Sequence, residues 1–486
     1  MWSERVRSRV KPWVLDGFLT PYQEEGIQWA VERDGSTFWW ACGSGKTVGA
    51  LVWAADGPLN QKTVIVTRAP AKRQWQREAS QYTNMQLYVL EGQGGDAIDR
   101  NVSAVVLSWE ILPYWLQQLR AWAGRNPMSL IWDEVHKGKA WKRKEKCVVN
   151  GRLTYRWANN RAAACSKLSL LASRRLGLTA TPIRDRRGDL WAQLDIVQPG
   201  AWGTNWDFIH KFCDARPGTY GGIDASGISN TEELKARLAE ATHVVSYGEM
   251  SKHLPPKRRQ LVYLPRKDQS RPAAFKQDMK RAAKRGKAAL FEMHLVVASS
   301  SKRKWVAETV MDAAQAGQKV CVLPGRRKDC EALAKSVQGK LKGPKVPVWS
   351  GHGGDSLKER ERMVAEYADE QGAAVFIGTT DAFGEAIDGL QNTDLVIFSM
   401  LPFTPGQVTQ AEGRFSRHGS KRNVLIMYVV AEGTVDEHVA DLLLEKLEAV
   451  ETTLDDREAG GVAKTLAGED DEEAILDSIF ALLETE

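Results

Sequence analysis

The stretch Ser129-Leu130-Ile131-Trp132-Asp133-Glu134-Val135-His136 decides the fold, because it joins a short apolar run to an acidic pair. A run of this kind predicts a buried strand, and the acidic pair then stands at the carboxyl end of that strand. Upstream, Ala41-Cys42-Gly43-Ser44-Gly45-Lys46-Thr47 has the glycines, the lysine and the hydroxyl of a phosphate-binding loop, or P-loop. The two stretches, in this order, predict a site that binds and hydrolyses a nucleoside triphosphate.

Each side chain of such a site has a distinct task. The backbone N–H groups of the loop cradle phosphates, and Lys46 supplies a positive charge to the β- and γ-phosphates. Thr47 and Asp133 would hold Mg²⁺, while Glu134 would orient and deprotonate the attacking water. The expected cofactors are therefore ATP and Mg²⁺. The nucleotide contacts predicted within the loop are Gly43, Ser44, Gly45, Lys46 and Thr47.

Length and composition describe an ordinary globular protein of several domains. The chain has 486 residues, of which 43% are hydrophobic and 26% charged, so wholesale disorder is excluded and two to four domains are expected. No signal-peptide pattern opens the chain, and no run approaches 18 apolar residues. We therefore expect a cytoplasmic protein, in a bacterial or phage-infected cell, without a membrane partner. Six cysteines without C-x-x-C spacing argue against a disulfide framework or a zinc site.

Charge is unevenly distributed along the chain. The net charge is +6, but residues 451–486 carry −10, which leaves +16 on residues 1–450. A basic body predicts a polyanionic partner such as DNA, although a solvated lysine surface gives the same count. Sixteen of the eighteen tryptophans lie before residue 207, either in the core or beside arginines where they would stack on bases.

Short β-branched apolar runs alternate with helical patterns, which predicts an α/β fold with parallel sheets. Two sets of runs indicate two tandem RecA-like domains with the ATP site in the cleft between them and a helical bridge joining them. The expected domains are 1–200, a basic helical bridge over 201–300, 301–450, and an acidic tail over 451–486. The predicted strands are 63–66, 104–107, 129–132, 175–178, 319–323, 346–349, 374–377, 395–398 and 424–428.

A series of further segments has the order and spacing of a known motif set. They read L-T-P-Y-Q-E-E-G-I-Q-W at 19–29, V-I-V-T-R-A-P at 64–70, L-G-L-T-A-T-P at 176–182, L-P-P-K at 254–257, T-T-D-A-F-G-E-A-I-D at 379–388, Q-A-E-G-R-F-S-R-H-G at 410–419 and G-T-V-D-E at 433–437. In this order they resemble the Swi/Snf-type DNA-dependent ATPases of helicase superfamily two, over roughly residues 17–447. The short chain around the motifs resembles a compact bacterial or bacteriophage form.

The resemblance implies further residues at the nucleotide. Gln23 would read the adenine, and Gly384, Asp388 and Gln410 would complete the nucleotide contacts. Arg417 would be an arginine finger that neutralises charge on the γ-phosphate, with Arg414, three residues earlier on the same helix face, as its partner. In the motif at 176–182, Thr179 and Thr181 would relay the state of the γ-phosphate towards the DNA.

The same resemblance implies a surface that contacts DNA phosphates with little base readout. The expected DNA contacts are Arg68, Lys72, Arg73, Ser108, Arg326 and Thr380. The sequence departs from the family at Trp40-Ala41, where an acidic pair is usual, and at Ala386, where glycine is common. A segment between Lys139 and Ser166, rich in basic residues and tryptophan, is either a further DNA contact or a solvated loop.

Three functions remain open at this point. The first is an ATP-driven translocase on DNA, with duplex favoured over single strands. The second is a strand-separating or annealing helicase at forks or recombination intermediates. The third is a DNA-binding module with a vestigial ATPase, against which the intact Lys46, Asp133, Glu134 and Arg417 argue. A variant of the first is a motor that works with a separate nuclease or with a replication or recombination partner, bound through the acidic tail.

Overall fold

The structure is a computed structural model, and it divides into two compact units, one up to Met250 and one from Ser251 onward. Each unit is built on one main parallel β-sheet. The residues that the structure describes are 2–95, 97–138, 144–149, 152–157, 160–180, 187–217, 223–225, 227–265, 287–338, 346–383, 389–402, 405–418 and 420–441.

The first unit contains a seven-stranded sheet flanked by helices. The described strands of this unit, seven of which form the sheet, are β1 (Gly35–Trp40), β2 (Lys62–Thr67), β3 (Leu87–Val89), β4 (Ala104–Ser108), β5 (Met128–Asp133), β6 (Lys144–Val149), β7 (Arg152–Trp157), β8 (Arg174–Thr179), β9 (Arg216–Pro217), β10 (Ile223–Asp224) and β11 (Thr242–Val245). Its helices are α1 (Glu4–Arg9), α2 (Pro21–Val31), α3 (Lys46–Ala55), α4 (Lys72–Tyr82), α5 (Leu112–Ala123), α6 (Asn160–Leu171), α7 (Asp189–Val197), α8 (Asn205–Phe212), α9 (Thr231–Ala241) and α10 (Tyr247–Ser251). The parallel sheet has the order β11-β1-β8-β5-β2-β4-β3, and β6–β7 and β9–β10 form two antiparallel ribbons.

The second unit contains a six-stranded parallel sheet. Its strands are β12 (Lys257–Leu264), β13 (Lys319–Leu323), β14 (Val348–Gly351), β15 (Ala374–Gly378), β16 (Leu395–Phe398) and β17 (Val424–Ala431), in the order β12-β17-β16-β13-β15-β14. Its helices include α11 (Lys287–Gln315), α12 (Arg327–Gln338), α13 (Leu357–Asp369), α14 (Thr380–Phe383) and α15 (Pro405–Glu412).

The predicted fold class, two tandem α/β domains with parallel sheets, is confirmed. Each of the nine predicted strands overlaps a strand of the structure, and every strand pair in the two main sheets is parallel. In parallel sheets the carboxyl ends of the strands meet at one edge, which is where ligands bind. Both the P-loop, after β1, and the acidic pair, at the end of β5, lie at that edge of the first sheet.

The segment 201–300, predicted as a helical bridge, contains helices α8, α9 and α10 and also supplies a strand to each sheet. Strand β11 pairs with β1 and forms one edge of the first sheet, while β12 pairs along its whole length with β17 in the second. Strand β12 begins Lys-Arg-Arg-Gln, and this charged start hides it from a search for apolar runs. The two units divide between residues 250 and 251, within this segment.

Most described tryptophans of the first unit lie in its core. Trp40, Trp53, Trp109 and Trp132 are completely buried, and Trp109 stacks on Trp132 with ring centroids 5.0 Å apart. Large aromatic rings bury much apolar area each, so these side chains stabilise the sheet rather than form a platform for bases. By contrast, Trp206, on α8, is more than half exposed.

Buried ion pairs and buried lysines fix several elements of the second unit. Lys302 on α11 is 2.6 Å from the carboxylate of Asp436, and both side chains are buried. Lys319 donates to the carbonyls of Tyr367 and Glu370 at the end of α13, where a positive charge satisfies carbonyls that the helix leaves open. Asp436 belongs to the G-T-V-D-E motif, so that motif holds the fold here.

Among the described helices, none is both long enough and apolar enough to cross a lipid bilayer. The longest, α11, spans 29 residues but carries three successive basic residues, Lys302, Arg303 and Lys304, near its middle.

Candidate nucleotide site

The P-loop has the backbone conformation that phosphate binding requires. Gly43 and Gly45 have φ values of 83° and 78°, a left-handed region that glycine adopts without steric cost. Helix α3 begins directly after Gly45, so its first N–H groups and the positive end of its dipole face the loop. The ammonium of Lys46 donates to the carbonyls of Trp40 at 2.9 Å and Ala41 at 3.2 Å, which folds the side chain back along the loop.

Tyr22 and Gln23 on α2 brace the P-loop from behind. The Gln23 amide donates to the Ser44 carbonyl at 2.7 Å, and the Tyr22 hydroxyl donates to the same oxygen at 3.0 Å. The other end of the Gln23 amide accepts from the backbone N–H of Thr20 at 2.8 Å, and the side chain is completely buried. The structure thus gives Gln23 a supporting role, while its contact with adenine stays a prediction.

Trp40 occupies the position where the family usually has an acidic residue, and it packs behind the loop. Its indole N–H donates to His243 on β11 at 3.0 Å, and its ring stacks on Phe38 with centroids 4.1 Å apart. A Cβ at Gly26 would lie 2.5 Å from the Trp40 ring, and one at Gly49 would lie 2.9 Å from it. The large ring therefore fits only because α2 and α3 present glycines to it.

Asp133 is held by three side chains at the end of β5. The Thr67 hydroxyl and the Trp75 indole N–H both donate to Oδ2, at 2.6 and 3.0 Å. The Trp109 indole donates to the backbone carbonyl of Asp133 at 3.0 Å. Burial, and after it the charge of Glu134, raise the pKa of Asp133, against these hydrogen bonds and the charge of Arg68, which lower it.

Glu134 has a strained backbone and a histidine partner. Its φ of 54° is unusual for a residue with a side chain, and such conformations concentrate at functional sites. Its carboxylate lies 3.4 Å from Nδ1 of the buried His136, and the same nitrogen is 3.0 Å from the Thr179 hydroxyl on β8. His136 thus joins the predicted water-activating carboxylate to the strand that carries Thr179.

These residues fit a divalent cation shared with nucleotide phosphates. Asp133 and Glu134 are adjacent carboxylates, and the pKa of Asp133 is raised. A bound cation would offset the repulsion between their charges. Thr47, half-buried in the first turn of α3, adds a hydroxyl of the type that binds Mg²⁺ in P-loops. Within the described residues, no cluster of three or more His, Cys, Asp or Glu offers an all-protein metal cage. Mg²⁺ commonly binds through one or two carboxylates plus phosphates, which matches this site.

Arg414 and Arg417 do not share a helix face, contrary to the prediction. Helix α15 ends at Glu412, and Gly413 follows it. Arg414 lies in the turn after that helix, where its N–H bonds the carbonyl of Ala411 at 3.1 Å. Arg417 lies beyond the turn, with its N–H on the Ser420 hydroxyl at 3.0 Å. After Glu412 the chain continues in short turns, with the N–H groups of Phe415 and Ser416 both on the Glu412 carbonyl.

The motif interpretation assigned no role to Glu412, which lies within the segment 410–419 of the second unit. This buried carboxylate binds Lys257 at 2.5 Å, Arg259 through Nε at 2.8 Å, and the Tyr428 hydroxyl at 2.6 Å. Burial alone would raise the pKa of Glu412, yet the hydrogen bond from Arg259 and the charges of Lys257 and Arg259 lower it to about 2. Lys257, the lysine of the L-P-P-K segment, therefore anchors the segment that contains Arg414 and Arg417. The basic residues after L-P-P and the acidic residue in the 410–419 motif were the signal in the sequence that could have suggested this pairing.

The predicted DNA contacts differ in how accessible they are. Arg73 is about half exposed and pairs with Glu91 at 2.8 Å. Lys72 instead donates to the Leu90 carbonyl at 2.9 Å, and burial lowers its pKa. Ser108 is buried, so its side chain is not a surface contact as the structure stands.

In the second unit, the two predicted DNA contacts follow neighbouring strands of the sheet. Arg326 follows β13 and binds the Asp329 carboxylate at 2.7 Å, while Thr380 opens α14 after β15. Like Arg68 after β2 and Ser108 at the end of β4, both lie where a parallel strand ends.

Several predicted site residues lie outside the described residues. These are Gly384, Asp388 and Thr181, the side chain of Gln410, and the tail over 451–486. In the predicted insert between Lys139 and Ser166, the described residues form the β6–β7 hairpin and the start of α6.

A P-loop and an acidic pair at one edge of a parallel sheet, followed by a second parallel-sheet unit, define a P-loop NTPase of the helicase class. The model of the SNF2-related domain matches residues 22–325, and that of the helicase conserved C-terminal domain matches residues 301–419. The chain therefore belongs to the SNF2-related family, whose ATPase and helicase domains form part of helicase superfamily two.

Known relatives match this chain over most of its length, at low sequence identity. The chain is 26% identical over 454 residues to the SWI/SNF-related matrix-associated actin-dependent regulator of chromatin subfamily A-like protein 1 of Xenopus laevis, covering 90% of this chain and 44% of the relative. It is 24% identical over 482 residues to the mouse DNA annealing helicase and endonuclease ZRANB3, covering 94% of this chain and 42% of the relative. The chain thus spans about half the length of the curated relatives it matches.

Among solved structures, the chain is similar to the Sulfolobus solfataricus SWI2/SNF2 ATPase core in complex with dsDNA. The sequences are 18% identical, the match covers 89% of this chain and 92% of the other, and the TM-score is 0.40. A score of this size carries no argument about fold or function.

Proposed function

We propose that the protein is an ATP-dependent DNA translocase that couples ATP hydrolysis to movement on duplex DNA. The observation that carries this proposal is the convergence of Lys46, Asp133 and Glu134 at one edge of the first sheet in a SNF2-related chain. The intact P-loop and acidic pair also favour an active ATPase over a vestigial one. Movement on DNA is the use of ATP that the family membership favours.

Nucleotide binding and hydrolysis are assigned to the first unit. The P-loop N–H groups and Lys46 would bind the phosphates, and Lys46 would exchange its bonds to the Trp40 and Ala41 carbonyls for phosphate oxygens. Mg²⁺, held by Thr47 and Asp133, would supply charge neutralisation on the β- and γ-phosphates. Glu134 would accept a proton from the attacking water, in an orientation that His136 maintains.

Residues of the second unit are proposed to complete the reaction. Arg417 would stabilise charge on the transferred phosphoryl group, with Arg414 beside it on the phosphates or on Glu134. Gly384, Asp388 and Gln410 would contact the nucleotide, as the motif resemblance implies. The ion pairs of the buried Glu412 support this assignment, because they fix the start of the segment that contains both arginines.

DNA is the proposed track. The charge of +16 over residues 1–450 favours a polyanion, and Arg68, Arg73, Arg326 and Thr380 are proposed to contact phosphates. The ammonium of Lys72 is bonded to the Leu90 carbonyl and Ser108 is buried. We therefore propose that these two residues support the backbone near the DNA instead of contacting phosphates with exposed side chains.

An annealing helicase is the second candidate function. The similarity to the mouse protein named DNA annealing helicase and endonuclease ZRANB3, over 94% of this chain, favours it. Cleavage by a separate nuclease, recruited through the acidic tail, is a further extension of either proposal.

Stimulation of ATP hydrolysis by duplex, single-stranded and forked DNA distinguishes these functions. A translocase on duplex DNA is stimulated most by duplex, whereas an annealing or strand-separating enzyme prefers forks. Lys46→Ala and Glu134→Gln provide the controls: the first should abolish hydrolysis, and the second should bind ATP and DNA without turnover. Wild-type, DNA-stimulated turnover in either variant would refute the site, and hydrolysis that no DNA stimulates would refute the proposed function.

A further inference from the structure

Trp75 connects helix α4 to the carboxylate proposed to hold Mg²⁺. It is the fourth residue of α4 and is almost completely buried. Its indole N–H donates to Oδ2 of Asp133 at 3.0 Å, the same oxygen that accepts the Thr67 hydroxyl at 2.6 Å. Because both donors bind Oδ2, they fix the plane of the carboxylate and leave Oδ1 for a cation.

The first turn of the same helix carries a proposed DNA contact. Arg73 is about half exposed, and Arg68 precedes the short turn that leads into α4. Trp75 follows Arg73 by two residues, a rise of about 3 Å along the helix, so a displacement of the first turn also moves Trp75. The fold thus places a proposed phosphate-binding surface and a ligand of the catalytic carboxylate on one rigid element.

We propose that Trp75 is a positioning residue that couples DNA binding at the start of α4 to nucleotide binding at Asp133. This inference rests on the proposed function. When DNA phosphates bind the first turn of α4, they fix its position and keep the indole N–H bonded to Oδ2 of Asp133. The oriented carboxylate then binds the metal–nucleotide complex more tightly. The coupling is reciprocal, so nucleotide must tighten DNA binding by the same factor.

Three tryptophans around Asp133 provide matched variants. Trp75→Phe removes the hydrogen bond to the carboxylate, and Trp109→Phe removes the one to the backbone carbonyl of the same residue. Trp132→Phe removes a buried indole whose N–H has no hydrogen-bond partner among the described residues. All three remove the same atoms from the core, so packing loss is common to the set.

The test measures binding, with hydrolysis blocked by Glu134→Gln. Calorimetry gives the affinity for ATP with Mg²⁺ in the presence and absence of saturating duplex DNA, and the affinity for DNA with and without ATP. We expect DNA to tighten nucleotide binding in the parent, and Trp75→Phe to reduce this factor by about tenfold or to unity, since a hydrogen bond to a charged group has that weight. Trp132→Phe should keep the factor within twofold.

Several results would overturn the inference. One is an unchanged factor in Trp75→Phe, which includes the case in which nucleotide affinity falls by the same ratio with and without DNA and Trp75 is only a local support. A parent that binds both ligands independently also has no coupling to carry. A parent that binds no DNA refutes the proposed function instead.

A measurement on the unsubstituted indole covers the case in which Trp75→Phe does not fold. Hydrogen exchange of the Glu134→Gln protein should show that DNA protects residues 128–138 and that nucleotide with Mg²⁺ protects residues 72–82. Protection confined to each ligand's own segment would overturn the coupling.

Discussion

Arg259 on β12 binds both oxygens of Glu412, through Nε at 2.8 Å and through a terminal nitrogen at 2.9 Å. A bidentate pair of this kind is strong and geometrically specific. It ties the first strand of the second unit to the segment that bears Arg414 and Arg417, across more than 150 residues of sequence. The conformation of the segment that carries the proposed arginine finger thus depends on Arg259, which is not among the predicted nucleotide contacts.

Glu412→Gln should destabilise the second unit strongly, because it leaves the buried ammonium of Lys257 and the partly exposed guanidinium of Arg259 without their counter-charge. We expect a loss of about 3 kcal/mol or more near neutral pH. The folded pKa of about 2 lies below the ordinary 4.5, so this stabilisation is complete above pH 4.5 and is lost as the pH falls towards 2. Urea unfolding at pH 7 and pH 3 should show a large difference from wild type at pH 7 and a smaller one at pH 3. Glu359→Gln, which removes an exposed pair with Arg362, should change stability by less than about 0.5 kcal/mol.

Arg417→Ala should reduce maximal turnover by roughly 10³-fold while nucleotide affinity changes little, since an arginine finger acts on the transition state. Steady-state hydrolysis and nucleotide titration separate the two effects. Arg422→Ala removes a partly exposed arginine paired with Asp394 at 3.1 Å, and it should leave turnover unchanged. A loss of affinity at constant maximal rate would reassign Arg417 to ground-state binding.

His136→Ala should lower turnover by about 10- to 100-fold, because Glu134 loses the partner at 3.4 Å that orients it. The binding of ATP should remain, since the P-loop is untouched. Thr179→Val removes the hydroxyl on the same His136 nitrogen, and the double variant should be no worse than His136→Ala alone. Additive losses would show that the two residues act separately.

Arg73→Ala should weaken DNA binding equally on all sequences and lower the slope of log affinity against log salt by about one. Lys72→Ala should also reduce stability, because its ammonium satisfies the Leu90 carbonyl. Titrations at several salt concentrations and thermal unfolding distinguish the two. Lys304→Ala, on the exposed face of α11, serves as the control and should keep the wild-type slope. A change in sequence preference would contradict phosphate contact.

The sequence predicted the sheets well where strands are β-branched and apolar, and poorly where they are not. Strand β1, Gly-Ser-Thr-Phe-Trp-Trp, is buried throughout but has no branched aliphatic residue, and β12 begins with charge. The P-loop and acidic pair were recognised because each has a fixed local spacing. The roles of Trp75, His136 and Glu412 depend on contacts between distant segments, which spacing alone does not encode. The helix expected to carry both arginines ends at Glu412, before either of them.

The close packing of Trp40 against Gly26 and Gly49 makes substitutions at these three positions depend on one another. A methyl group at either glycine collides with the ring, and a smaller residue in place of Trp40 opens a cavity behind the P-loop. Neither kind of substitution should be neutral by itself, so the effects of changes at positions 26, 40 and 49 should not be additive. A variant that restores the acidic residue of other family members would therefore need compensating bulk behind the P-loop, and at position 26 that bulk would also meet the His243 ring. A variant that carries the acidic residue alone and keeps its stability would show that neighbouring side chains fill the space left by the Trp40 ring.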